Sequence, residues 1–90
     1  MSKYRLEFSP SARRQLKKLD PETRKRVLAK AEALADDPRP RGFKKLEAAY
    51  DLYRVRERNY RVIYQIIDDI LLVTVLEIGD RKQIYKRLGR

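Results

Sequence analysis

Cysteine and histidine are both absent from this 90-residue chain. Without cysteine there is no disulfide and no thiol nucleophile, and without histidine there is no imidazole acid or base. The usual donors of a zinc site are missing together, so a zinc centre is not expected and no cofactor is expected either. Long apolar runs are also lacking. The longest, Ile70 to Leu76 with Thr74 inside it, falls far short of the roughly 20 residues that a membrane-spanning helix needs. With no apolar run behind a basic N-terminal stretch, the chain reads as cytoplasmic and without a membrane partner. Acidic residues are scarce: 13 Asp and Glu face 23 Lys and Arg, a net charge of +10. Such an excess points to a polyanionic partner. Arginine supplies 14 of the 23 cations, and its planar fork of donors suits phosphate better than a lysine point charge does.

What is present suffices for one small domain, expected to span residues 1–90. Hydrophobic residues make up 42% of the chain and fall in periodic segments, which argues against disorder despite 40% charged residues. Tyr4 to Phe8 alternates with period two and predicts a half-buried strand. Ser9 then suits an N-cap and Pro10 the first helical position, where its missing N–H removes nothing. Ala12, Leu16 and Leu19 share one face of that helix, while Arg13, Arg14, Lys17 and Lys18 populate the rest. Asp20-Pro21 repeats the start signal, predicting a second helix from Pro21 to about Ala35 that buries Val27, Leu28, Ala31 and Leu34. The helices form an antiparallel hairpin. The stretch Asp37 to Gly42 carries two prolines and reads as a rigid basic loop of the kind that bears function.

From Leu52 onward the texture is β-rich: Leu52 to Arg56, Tyr60 to Ile67, and Ile70 to Ile78, with turns at Arg58-Asn59 and Asp68-Asp69. Gly79 is expected to end the last strand, which reads as central or helix-covered because it lacks polar alternation. A basic tail follows from Asp80 to Arg90. The expected class is α+β: an N-terminal strand, a two-helix antiparallel hairpin, a three-stranded antiparallel meander and a short C-terminal tail, with both helices on one sheet face.

Alternation on the meander puts Arg54 and Arg56 on one face, Arg58 in the following turn, and Arg61 back on the adjacent strand. These guanidinium groups converge on a patch suited to phosphate. Tyr4, Tyr60 and Tyr64 sit where an aromatic normally packs. Tyr85 differs, because it lies in Arg81-Lys82-Gln83-Ile84-Tyr85-Lys86-Arg87, a charged setting that suits stacking on a base.

Three runs together, Leu52-Tyr53-Arg54-Val55-Arg56, Asn59-Tyr60-Arg61-Val62-Ile63-Tyr64 and Leu76-Glu77-Ile78-Gly79-Asp80-Arg81-Lys82-Gln83-Ile84-Tyr85, resemble the RelE branch of the RelE/ParE toxin superfamily. The resemblance covers nearly the whole chain and implies the RelE-like microbial ribonuclease fold. It further implies a toxin that enters the ribosomal A site and cuts messenger RNA without a metal, by attack of a ribose 2′-oxygen on the adjacent phosphodiester. Arg54, Arg56, Arg61, Arg81 and Tyr85 are the catalytic set so implied. Arg61 matches the family's strand arginine, Arg81 the arginine after glycine, and Tyr85 the terminal tyrosine that stacks on or orients a base. Lys44, Lys45, Arg58, Lys82 and Lys86 are the expected RNA- and ribosome-binding residues. The implied partner is an acidic RelB-like antitoxin, with a toxin–antitoxin heterotetramer among the assemblies the resemblance allows.

Two positions depart from the family pattern. Arg54 and Arg56 stand where the best-known relatives carry lysines, and arginine does not exchange its proton at neutral pH. The general base therefore stays open among Lys82, Lys86, Tyr85, Glu57, Asp80 and the ribosome. Asp80 puts a carboxylate beside Arg81, where it either orients that arginine or weakens phosphate binding. The alternatives to the ribonuclease reading are a ParE-like inhibitor of DNA gyrase and a non-catalytic nucleic-acid-binding module.

Overall fold

The computed structural model describes residues 3–46 and 52–80. The elements in chain order are β1 (Arg5–Phe8), α1 (Pro10–Lys18), α2 (Pro21–Asp36), β2 (Lys44–Lys45), β3 (Leu52–Glu57), β4 (Tyr60–Ile67), a 3₁₀ turn (Asp68–Ile70) and β5 (Leu72–Asp80).

Local chemistry sets the helix hairpin as the sequence predicts. The Ser9 hydroxyl accepts from the Ala12 N–H at 3.0 Å, and the Asp20 carboxylate accepts from the Thr23 N–H at 3.1 Å, so each helix begins on a side-chain cap followed by proline. The connection is only Leu19 and Asp20, because Arg24 closes it from below. Its guanidinium donates to the carbonyls of Leu16, Lys17 and Leu19 at 3.1, 3.0 and 2.8 Å, satisfying acceptors at the end of α1 and placing a cation at the negative end of its dipole.

The sheet has five strands in the order β1-β5-β4-β3-β2, not the four that the sequence suggests. β3, β4 and β5 form the expected antiparallel meander, whereas β1 runs parallel to β5 on one edge and the two-residue β2 pairs antiparallel with β3 on the other. β2 escapes sequence reading because two consecutive lysines have neither alternation nor apolar content. The last strand is displaced as well. Asp68–Ile70 forms the 3₁₀ turn and Leu71 takes φ 51, ψ 55, so the strand starts at Leu72 and continues through Gly79 to Asp80. It lies inside the sheet, between β1 and β4.

One face of the sheet carries the core. Ala12 from α1 and Val27, Ala31 and Leu34 from α2 meet Tyr53, Val55, Val62, Tyr64, Ile66, Val73, Val75 and Ile78, all buried. Each fully buried aliphatic side chain contributes about 1.5–3 kcal/mol, so this layer dominates stability. Leu28, expected in the core, is only partly buried. No helix among the described residues is long and apolar enough to cross a membrane.

Candidate nucleic-acid interface

Strand register decides which side chains share the face away from the helices. In β3 and β4, Arg54 stands opposite Ile63, Val55 opposite Val62, and Arg56 opposite Arg61. Because Val55 and Val62 belong to the helix-side core, Arg54, Arg56 and Arg61 project from the other face. β2 adds a fourth cation, since Lys44 is directly opposite Arg54. The result is a row across three strands, Lys44, Arg54, Arg56 and Arg61, with directly opposed pairs about 5 Å apart at Cβ and diagonal neighbours about 7–8 Å. The Arg58 turn makes this possible: a two-residue connection with Arg58 at φ 57 returns the chain so that Arg61 faces Arg56.

Burial distinguishes these cations. Arg54 and Arg61 are each 6% exposed, whereas Arg56 and Lys44 are exposed. A charged row on a solvated surface would be unremarkable; two arginines set into the sheet face with their neighbours at the surface make a graded positive site. Gly79 of β5 stands opposite Arg61, where any other residue would set a side chain beside the guanidinium.

The other expected residues are placed differently. Lys45 pairs with Tyr53 and so belongs to the helix-side face, and Arg58 is in the turn, exposed and outside the row. Arg81, Lys82, Tyr85 and Lys86 lie outside the described residues. Glu57 and Asp80, both considered as bases, each pair with Tyr60, which packs against the core; register puts the two carboxylates on the opposite face from the arginines. Lys44 gains importance instead. The sequence marks it as one basic residue among several, and only the β2–β3 pairing sets a lysine opposite Arg54.

The basic loop is anchored rather than open. Arg39 donates to both oxygens of Asp68, at 3.3 and 2.9 Å, and its guanidinium carbon lies 5.7 Å from the Tyr53 ring centroid. The Tyr4 hydroxyl donates to the same carboxylate at 2.7 Å. Arg39 first, then Tyr4, holds the Asp68 carboxyl below the usual carboxylate range, and Asp68 in turn raises the Tyr4 hydroxyl. Beneath the loop, Phe43, Tyr53 and Tyr64 form a chain of tilted rings with centroids 5.9 and 5.8 Å apart. The packing roles expected of Tyr4, Tyr60 and Tyr64 hold: Tyr64 is wholly buried, and Tyr4 and Tyr60 pack against the core. Among the described residues no cluster of three or more acidic side chains could hold a metal ion.

Comparison with known proteins agrees with this architecture. Residues 6–85 match the family model described as the ParE toxin of the type II toxin–antitoxin system parDE. The mRNA interferase toxin RelE of Escherichia coli K12 is 30% identical over 82 residues, covering 89% of this chain and 85% of the relative. The toxin–antitoxin complex RelBE2 from Mycobacterium tuberculosis contains a chain 31% identical, with TM-score 0.77 over 87% of this chain and 98% of that one. A chain of the archaeal RelE–RelB complex from Pyrococcus horikoshii is 29% identical, with TM-score 0.78 over 90% and 98% respectively. The chain therefore belongs to the ParE toxin family of type II toxin–antitoxin systems, as a RelE-like member.

Proposed function

We propose that this protein is the toxin of a toxin–antitoxin pair and a ribosome-dependent endoribonuclease that cleaves messenger RNA in the A site, stopping translation. The observation that carries the reading is the row Lys44, Arg54, Arg56 and Arg61 on one sheet face, two of whose arginines are sunk into it. A ribose 2′-oxygen attacks its own 3′-phosphorus and the 5′-oxygen leaves, giving a 2′,3′-cyclic phosphate and a 5′-hydroxyl. The arginines neutralise charge that develops on the equatorial oxygens, the role in which fixed donors contribute most. Arg81 completes the cationic set and Tyr85 stacks on or orients a base.

The 2′-hydroxyl proton needs an acceptor and the leaving oxygen a donor. Glu57 and Asp80 are disfavoured by register, which leaves Lys44, Lys82, Lys86, Tyr85 and the ribosome. Alignment of the 2′-oxygen with its phosphate can supply about 7–11 kcal/mol of the barrier, and the ribosome is the element able to impose it. Free RNA is accordingly bound weakly and left uncut. The names of the E. coli relative and of the complexes with antitoxin support the activity and a RelB-like antitoxin as partner. The net charge of +10 supports an acidic partner that covers the basic face.

Primer extension on a translated message with purified protein and ribosomes tests the reading. Cuts confined to ribosome-occupied codons are expected, undiminished by chelator on ribosomes whose integrity other cations maintain, with 2′,3′-cyclic phosphate found on the upstream fragments when their ends are analysed. A second reading, inhibition of DNA gyrase, draws on the ParE description of the matching family model. An uncut message together with blocked gyrase supercoiling would favour it.

A further inference from the structure

We propose that Gln15 is a positioning residue for the cationic face, holding the end of β5 where Gly79 stands opposite Arg61. The proposal rests on the ribonuclease reading above. Its origin is a mismatch of strand lengths. β1 accompanies β5 only as far as the Phe8–Val75 pair, and the Ser9 N–H closes that ladder on the Val75 carbonyl at 2.8 Å. β5 continues to Asp80, five residues past its last pairing with β1.

Side chains from the start and middle of α1 take over from the missing strand. The Ser9 hydroxyl donates to the Leu76 carbonyl at 2.7 Å, and the Gln15 side-chain oxygen accepts from the Ile78 N–H at 2.6 Å. The Gln15 amide nitrogen donates to Glu77 Oε1 at 3.0 Å, so both ends of one glutamine are committed to consecutive residues of β5. The place matters because β5 bulges here. Between the Ile63–Glu77 and Tyr64–Val75 pairs the register shifts, leaving Leu76 as the extra residue and interrupting the ladder just before the segment that faces the arginines. Beyond the bulge, β4 pairs with one side of β5, and Gln15 bonds to the Ile78 N–H and to the Glu77 carboxylate.

That segment carries the pairs Val62–Ile78 and Arg61–Gly79. A shift of the Gly79 backbone toward or away from Arg61 alters the space beside the guanidinium. Displacements of about 1 Å in such a site can cost about 100-fold in rate. Gln15 itself belongs to α1 and contacts the Ile78 N–H and Glu77, whose register opposite Ile63 puts it on the face of the arginine row, so its action passes through β5.

The polarity of the Gln15–Glu77 contact allows a reversible test. Gln15→Glu keeps an acceptor for the Ile78 N–H but sets a carboxylate against Glu77. Glu77→Gln in the same chain restores a donor–acceptor pair with the polarity reversed. Single-turnover cleavage on saturating programmed ribosomes is compared with amide exchange at Gly79 and Asp80. Gln15→Glu should slow cleavage about 10- to 100-fold with ribosome affinity little changed, and should speed exchange at both amides. The double variant should recover both, to the level of Glu77→Gln alone. Wild-type cleavage by Gln15→Glu with only a lowered melting temperature, or no recovery in the double variant, would overturn the proposal. A wild-type protein that cuts nothing would instead remove the ribonuclease reading, and this role with it.

Discussion

The Tyr64 hydroxyl, wholly buried in the middle of β4, donates a 2.6 Å hydrogen bond to the Pro38 carbonyl. It ties the loop after α2 to the sheet from beneath, while Arg39 ties the same loop at its surface to Asp68. Tyr64→Phe keeps the ring stack with Tyr53 but strips the Pro38 carbonyl of this donor, which typically costs about 1–3 kcal/mol. Urea unfolding should show a lower midpoint at an unchanged slope.

The same hydroxyl governs the alkaline limit. Burial pushes Tyr64 above the ordinary tyrosine value of 10.0, and the Asp68 carboxylate raises Tyr4 in the same direction. A raised folded value means that the stabilisation is complete below pH 10.0 and is lost as pH rises through the folded value. Wild-type melting temperature should therefore fall steeply above that point. In Tyr64→Phe the fall should be shallower, with Tyr4 accounting for what remains.

At the acid end the sign reverses. Asp68 is held below its ordinary 3.8 by Arg39 and Tyr4, and Asp20 is lowered by Thr23, through its side chain first and then through the N–H that Asp20 caps. The stabilisation from each is present above 3.8 and disappears as pH drops through the lower folded value. Melting curves from pH 5 to pH 2 should fall less steeply for Asp68→Asn than for wild type, with the Asp20 contribution left intact. Equal slopes would dissociate the Arg39–Asp68 pair from acid stability.

Arg56 offers the cleanest test of the site because it is exposed, so its loss leaves the core untouched. Arg56→Ala and Arg61→Ala should each lower single-turnover cleavage on programmed ribosomes by about 10²- to 10³-fold, with circular dichroism as the folding control. Arg54→Lys and Arg56→Lys probe a different property. If two-pronged phosphate binding is what matters, ribosome binding and cleavage fall together; if a lysine at position 54 or 56 is what the chemistry needs, cleavage is kept or rises. Wild-type rates in both alanine variants would remove the row from the chemistry.

Leu71 is a non-glycine residue in the left-handed region, at φ 51 and ψ 55, with 41% of its surface exposed. Glycine there relieves a conformational cost of about 1–2 kcal/mol, against about 0.4–1 kcal/mol of added chain freedom when unfolded. Leu71→Gly should raise stability by about 0.5–1 kcal/mol, read as a higher urea midpoint. A lower midpoint would show that the exposed leucine packs usefully at the turn.

Much of the fold is written in local signals. Ser9-Pro10 and Asp20-Pro21 start both helices, and alternation along β3 and β4 already puts Arg54, Arg56 and Arg61 on a common face. These features depend on groups within a few residues of one another, so composition and spacing suffice to find them. The family resemblance is legible for the same reason, since its motifs lie along single strands.

Only tertiary structure decided the rest. That β1 runs parallel to β5 depends on contacts more than sixty residues apart, to which local propensity is blind. β2 exists because Lys44 and Lys45 find β3, and that pairing alone sends Lys44 to the arginine row and Lys45 to the other face. Glu57 and Asp80 look available for proton transfer in the sequence, yet their pairing with Tyr60 turns them away. Gln15 looks like one more polar position on a basic helix until the fold brings it to the Ile78 N–H of β5, beyond the end of β1. In each case the deciding quantity is register between distant strands. A shift of one residue there exchanges the two faces, and it is the shared core of Val55, Val62, Tyr64 and Val75 that forbids the shift.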